Sequence, residues 1–211
     1  MKRQAVTGAA FCGNGFLTIL LLMQLQADEF LHLDSLATRA VAHFQSIAPI
    51  EFFTAVTTFG GVVGISCITF LVIVYLRNNP RLIARLVIGQ FATILSVSLI
   101  KSLIARVRPP AIPWLGQLHS YSFPSGHSSS AMMLYGFIVV VMYLHARHSR
   151  EKTMTITALL ILIGLIGLSR IVLAAHYASD VVAGLFLGGF WLSVVFLYPL
   201  REQEKIYLKI R

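Results

Sequence analysis

A pair of histidines, one aspartate and a few spaced cations are the residues of this chain whose types and intervals could do chemistry. In the first set, Lys101 and Arg108 are separated by six residues, with Pro109 and Pro110 directly after them. On a helix that spacing brings both cations to nearly one face, two turns apart, and the prolines would end the helix at once. Snorkelling to lipid headgroups is the ordinary alternative. Lys101 lies deeper in its apolar stretch, however, where an ionisable group faces a protein interior or a cavity. The second set is Pro124-Ser125-Gly126-His127-Ser128-Ser129, at the start of another apolar stretch. Pro and Ser are helix-start residues, Gly126 lets backbone N–H groups approach a ligand, and a helix start favours an anion. A serine-rich cap with an incidental histidine is the alternative, but a protonated His127 in a first turn is unfavourable unless an anion is close. The third set is Ser169-Arg170 with His176 and Asp180. If that stretch is helical, His176 and Asp180 share a face, and the carboxylate can accept from one imidazole nitrogen and leave the other free to attack. A structural His/Asp pair is the alternative here.

Taken together the three sets are rich in cations, histidines and anion-binding backbone, with Asp180 as their one acid. Those are the parts of metal-free phosphoryl transfer: cations to spread the charge of the transferring group, a nucleophile, and an acid for the leaving oxygen.

Read in order, Lys101-x6-Arg108-Pro109, Pro124-Ser125-Gly126-His127 and Ser169-Arg170-x5-His176-x3-Asp180 resemble the type 2 phosphatidic acid phosphatase (PAP2) superfamily, which also includes bacterial acid phosphatases and vanadium haloperoxidases. The likeness runs from residue 101 to residue 180 without a missing motif residue; outside it the resemblance is one of hydropathy. It implies that His176 is a nucleophile forming a phosphohistidine, oriented and activated by Asp180. His127 would be the general acid that protonates the leaving oxygen and later helps activate water. Lys101, Arg108, Arg170, the Ser125 hydroxyl and the Gly126 N–H would bind phosphate. Ser169 matches the motif without a clear role, and Arg106 and His119 fall outside the motif and are left out of the core site. No cofactor and no metal are implied; with Asp180 as the sole acid near the site, a magnesium-dependent phosphatase would lack carboxylate oxygens. The opposed histidine roles predict a bell-shaped pH profile.

The expected substrate is a lipid phosphate, because a site at the outer ends of membrane helices meets amphiphiles whose headgroups lie at that depth. Phosphatidate, phosphatidylglycerophosphate, diacylglycerol pyrophosphate, undecaprenyl pyrophosphate and lipid A phosphates all fit, and the motifs do not choose among them. Three alternatives stand beside hydrolysis: phosphotransfer from the same phosphohistidine to a lipid or sugar acceptor, halide oxidation at a bound vanadate, and a non-catalytic scaffold or lipid sensor. Membrane spans argue against the haloperoxidase reading, since those relatives are soluble.

The elements that must position these residues are read from hydropathy. With 57% hydrophobic and 12% charged residues, the chain cannot cover a water-soluble globule, whose surface is roughly a quarter to a third charged. Soluble nucleic-acid binders and disordered tails are excluded. The +9 formal charge is read as the Lys/Arg excess of cytoplasmic loops rather than as affinity for nucleic acid. Apolar windows near 5–26, 53–76, 82–104, 129–146, 153–172 and 180–199 predict an all-α, six-transmembrane-helix bundle with a PAP2-type core. The first window resembles a secretion signal, but Leu25-Gln26-Ala27 is a poor cleavage site and a retained helix is expected. Cys12 and Cys67 lie in apolar stretches, so neither a disulfide framework nor a zinc site is expected. Strict alternation puts residues 77–85, 147–152 and 201–211 with the amino terminus on one basic side, which the positive-inside rule makes cytoplasmic. All three chemical sets then fall on the other side, the periplasm or cell exterior if the source is bacterial, as the short loops suggest. Residues 28–49 read as a short helix on that outer surface that could guide substrate. No repeat divides the chain, so residues 1–211 are read as one domain with its catalytic motifs within 101–180.

Overall fold

The computed structural model describes residues 2–25, 32, 34–37, 39–40, 50–110, 120–144 and 149–197. Among them the structure is helical, with no strand: α1 (Lys2–Gln24), α2 (Ile50–Thr58), α3 (Val62–Tyr75), α4 (Pro80–Ile104), α5 (Gly126–Leu144), α6 (Arg150–Val172) and α7 (Ala178–Val195). Five of these helices are long and apolar enough to cross a bilayer, and α2 with α3 forms a bent pair that brings the number to six if the pair is one broken span. The predicted window at 53–76 is therefore not one straight helix. It breaks by 46° at Phe59-Gly60-Gly61, where Gly-Gly is a turn signal inside an apolar run. The polar groups freed by the break are satisfied locally: Gly60 N donates to Thr57 O at 3.0 Å and the Tyr135 hydroxyl to Phe59 O at 2.8 Å, as burial in an apolar medium demands. Most of 28–49 lies outside the described residues; within it, residues 34–37 are helical.

Helices α5 and α7 form the centre. Helix α7 packs against α1, α4, α5 and α6, and α5 against α3, α4, α6 and α7. The α5–α7 crossing is close because α7 carries Gly184 and Gly188 one turn apart. A Cβ at Gly184 would lie 2.6 Å from Ser125 O, and one at Gly188 2.3 Å from Ser129 O. Small residues at this interval let two backbones approach within a membrane, where packing replaces the hydrophobic drive. Around this pair lies a core of Leu82, Leu86, Met133, Leu134, Phe137 and Ile166, all fully buried. On the outer faces Phe11, Phe70, Phe91, Leu99 and Leu160 remain exposed, an apolar belt suited to lipid.

The N-terminal half of α1 runs beside the C-terminal half of α7, since Gly8 lies against Ser193. Arg85 donates to Val195 O, so the basic end of α4 joins the same end of the bundle. The other ends of α4 to α7 carry the chemical residues. Helix α4 starts cleanly, with Asn79 accepting from Leu82 N at 3.2 Å and Pro80 in the first turn. It stops earlier than the two-turn reading requires: Ala105 turns left-handed at φ 51°, so Arg106 and Arg108 lie beyond the helix.

Candidate functional site

Lys101 ends α4, Ser125 to His127 begin α5, Arg170 ends α6, and His176 and Asp180 flank the start of α7. Lys101 and Arg108 do converge, though not by sharing a helical face. Both are tied to the segment before α5: Lys101 Nζ donates to Tyr121 O and, at 3.2 Å, to Ser122 O. Arg108 Nε donates to Ser120 O at 2.7 Å, and its Nη2 to Ser120 Oγ at 2.9 Å and Tyr121 O at 3.3 Å. Backbone carbonyls thus fix both cations, because the left-handed Ala105 has already turned the chain out of the helix before Arg108.

The His176–Asp180 pair also forms by another route than the one its spacing suggests. His176 is not helical; residues 173–176 form a turn pinned to the end of α6, with Ala174 left-handed at φ 50° and Ala175 N and His176 N both donating to Arg170 O. Asp180 is in the first turn of α7, where Oδ2 accepts from Tyr177 N at 2.9 Å in a capping box. His176 Nδ1 lies 3.5 Å from Asp180 Oδ2, long for a hydrogen bond and close for a charge contact. Its Nε2 lies 3.3 Å from Arg108 Nη1. Arg108 can donate only to a bare nitrogen, which assigns the proton of a neutral ring to Nδ1, facing Asp180. His176 is 2% exposed. Burial pushes its pKa from the usual 6.5 down to about 4; the pairing with Asp180 opposes this, and Arg170 and Arg108 add to it. The imidazole is neutral at ordinary pH and can act as a nucleophile. Burial likewise pulls the Arg108 pKa down, against the pull of Asp180.

Arg170 is 5% exposed, donates through Nη1 to Thr57 Oγ1 at 2.7 Å, and leaves Nε buried without a partner among the described residues. An unspent donor of this kind is suited to an anionic oxygen. His127, in the first turn of α5, lies against the broken span: a Cβ on Gly61 would be 3.4 Å from its Nε2, and one on Gly60 3.3 Å from its Cβ. It is within electrostatic range of His176. Ser125 is fully buried, its Oγ paired with the Ser128 hydroxyl at 3.0 Å and with Ser128 N at 3.4 Å, while its N–H donates to Asp180 O at 2.9 Å. Gly126 begins the helix, and only Val97 would touch a Cβ there, at 3.5 Å. Ser169 gives its hydroxyl to Ile166 O at 2.6 Å, which makes it part of the helix packing. His119 lies outside the described residues.

Sequence reasoning left out several residues that the fold brings in. Ser122 donates to Asp180 Oδ2. Arg106, left out of the core site above, donates to Asp180 Oδ1 at 2.6 Å through Nη1 and to Asp34 Oδ2 at 2.6 Å through Nη2, and stacks over the Tyr177 ring at 4.1 Å. Burial lowers its pKa, but the charges and hydrogen bonds of Asp180 and Asp34 outweigh that and the net shift is upward. Asp34 in turn accepts from Ser179 N at 2.9 Å and Ser179 Oγ at 2.7 Å. The expectation of a single acid near the site is therefore corrected: a second buried carboxylate is one residue contact away, because residues 34–37 fold onto the start of α7. Arg106 was visible as a third cation in the first set. Asp34 carried no local signal.

The family model of the PAP2 superfamily matches residues 82–204. Among relatives, phosphatidylglycerophosphatase B of Bacillus subtilis (strain 168) is 37% identical over 90 residues, covering 42% of this chain and 44% of the relative. Lipid A 1-phosphatase of Rhizobium etli is 32% identical over 110 residues, 48% of this chain and 43% of the relative. The matched stretches thus span less than half the length of these two proteins. The crystal structure of a transmembrane PAP2-type phosphatidylglycerolphosphate phosphatase from Bacillus subtilis superposes with a TM-score of 0.70 at 26% identity, covering 87% of this chain and 93% of that one. That of Aquifex aeolicus LpxE superposes at 0.59 and 20% identity, over 77% and 96%, a likeness of fold. With the family match covering more than half of its length, the chain is an integral membrane protein that belongs to the PAP2 superfamily.

Proposed function

We propose that this protein is a lipid-phosphate phosphatase that works through a phosphohistidine on His176, without a metal. The observation that carries the reading is the setting of that imidazole: neutral, its Nδ1 toward Asp180, its Nε2 toward Arg108, among cations drawn from separate helix ends.

A phosphate group would enter between Lys101, Arg108 and Arg170, with the unspent Nε of Arg170 and the Gly126 N–H at the start of α5 as further donors. Arg108 would move its hydrogen bond from Nε2 to a phosphate oxygen, freeing the lone pair. Nε2 then forms the N–P bond as the P–O bond to the leaving group breaks, and His127 gives its proton to that oxygen. Water attacks the phosphohistidine in the second half, losing a proton to His127 as the P–N bond returns its electrons to His176. The nearby carboxylates, Asp34 and Asp180, are both bound by Arg106, which supports a site that does its charge work with guanidinium and ammonium groups.

The apolar belt and the position of the site at the ends of the spans support a membrane-resident substrate. Phosphatidylglycerophosphate and lipid A phosphates are the first candidates, given the names of the relatives, followed by phosphatidate and undecaprenyl pyrophosphate. By the positive-inside rule the site faces away from the cytoplasm of a bacterial inner membrane, with the amino terminus inside. The test is phosphate release in detergent with EDTA from phosphatidate, phosphatidylglycerophosphate, diacylglycerol pyrophosphate, undecaprenyl pyrophosphate and lipid A. Turnover of at least one by the wild type, persisting in chelator and lost in His176→Ala, is expected. Normal turnover in that variant overturns the nucleophile, and loss in chelator overturns the metal-free reading. Transfer of phosphate to an added lipid or sugar alcohol would identify the phosphotransferase alternative.

A further inference from the structure

We infer that Asp34 and Arg106 are positioning residues: Asp34 shares the Arg106 guanidinium with Asp180, so that Asp180 keeps more of its negative charge for balancing the positive charge His176 gains on attack. The inference rests on the phosphohistidine reading and adds to it two residues on connections outside the three motifs.

Arg106 lies between two carboxylates, 2.6 Å from each. Had it only Asp180 as partner, that ion pair would be neutral, and the carboxylate facing His176 would be spent. The second carboxylate changes the balance: a cation shared by two anions neutralises Asp180 less, next to an imidazole that turns cationic when its Nε2 lone pair enters the N–P bond. The geometry is over-determined. Ser179 supplies N–H and hydroxyl to Asp34 and a third contact to Arg106 at 2.8 Å, while Tyr177 offers its ring face to the guanidinium. Asp34 is 6% exposed and Asp180 fully buried, so solvent screens their charges little. The other charged groups facing His176 are positive or titrate toward positive: Arg108 beyond α4, Lys101 on α4, Arg170 on α6 and His127 on α5. Asp34 is thus the one additional anion that the described residues bring to this corner.

The experiment uses the full chain in detergent with a short-chain phosphatidate as probe, and reads kcat, KM and the acid limb of kcat/KM. In Asp34→Asn the loss of an anion is expected to move the acid limb to lower pH and to cut kcat by roughly 10- to 100-fold, the scale on which outer hydrogen-bond partners act, with KM nearly unchanged. Arg106→Gln is expected to move the limb the other way, to higher pH. The double variant, which removes one charge of each sign, is expected to bring the limb back toward the wild type and to exceed Asp34→Asn in kcat. Either single variant suffices if the other fails to fold. A limb that stays put in a folded single variant, or kcat that merely follows the folded fraction in thermal melts, overturns the proposal. Normal turnover in His176→Ala would instead bring down the nucleophile reading beneath it; a dead His176→Ala with unmoved limbs brings down this inference alone.

Discussion

At the scale of single residues, burial decides the behaviour of His176. Its carboxylate partner alone would raise its basicity, yet the ring is enclosed beside Arg108 and Arg170, and desolvation wins, taking it to about 4. Because its folded pKa is depressed, the reactive neutral form is present above that value and lost as pH falls through it. Once the substrate's own ionisation is divided out, the rising limb of kcat/KM is expected near pH 4; a limb at the ordinary histidine value of about 6.5 would contradict the burial argument. In the proposed mechanism His127 is the acid, and a proton in the first turn of a helix is favoured once an anion is bound. The falling limb is therefore expected at higher pH in kcat, which reports the substrate complex, than in kcat/KM, which reports the free enzyme. Removal of the Arg108 fork by Arg108→Ala is expected to lower kcat/KM by 10²–10³-fold, about 3–4 kcal/mol of transition-state binding. Lysine there should rescue little, because the fork holds three carbonyls, of Ser120, Tyr121 and Ala175, and a hydroxyl that a point charge cannot span.

At the scale of elements, the site depends on the contact of α5 with α7. Gly188→Ala would drive a methyl group into Ser129 O and is expected to cost about 1–3 kcal/mol, the usual penalty of overpacking, with a lower melting temperature in detergent. Gly164→Ala on α6 is the contrasting case, for a Cβ there meets nothing within 4 Å and alanine is the better helix former; its melting temperature should hold or rise. The helices themselves were legible because hydropathy over about 20 residues leaves little choice. Their ends were not. The spacing of Lys101 and Arg108 pointed to one spot for a reason that does not operate, since the helix stops at Ile104 and carbonyls of the next segment gather the two cations. The pairing of His176 with Asp180 was likewise legible as a pair but not as a capping turn. Gly60-Gly61 advertised the break in the second span, and reading for length alone hid it.

At the scale of the molecule, the two ends of the bundle differ in chemistry. One carries Arg77 between α3 and α4, Arg81 and Arg85 in the first turns of α4, and Arg150 and Lys152 at the start of α6; the other carries the candidate site. In a chain freed of Cys12 and Cys67, a cysteine at exposed Tyr121 is expected to react with an impermeant maleimide from outside intact cells, and one at Arg77 only after permeabilisation. The reverse pattern would turn the site toward the cytoplasm. Asp34 shows where reading a linear chain runs out: it meets Ser179, 145 positions away, through a fold that no local pattern encodes.

The broken second span has a consequence for anyone redesigning this scaffold. The groups proposed to handle phosphate come from the ends of α4 to α7, whereas the bend at residues 59–61 borders them, touching His127, with Thr57 just before it steadying Arg170. Retargeting toward a bulkier or smaller alcohol should therefore begin around that elbow but spare Thr57, Gly60 and Gly61, where a change would release Arg170 or press on Ile166 and His127.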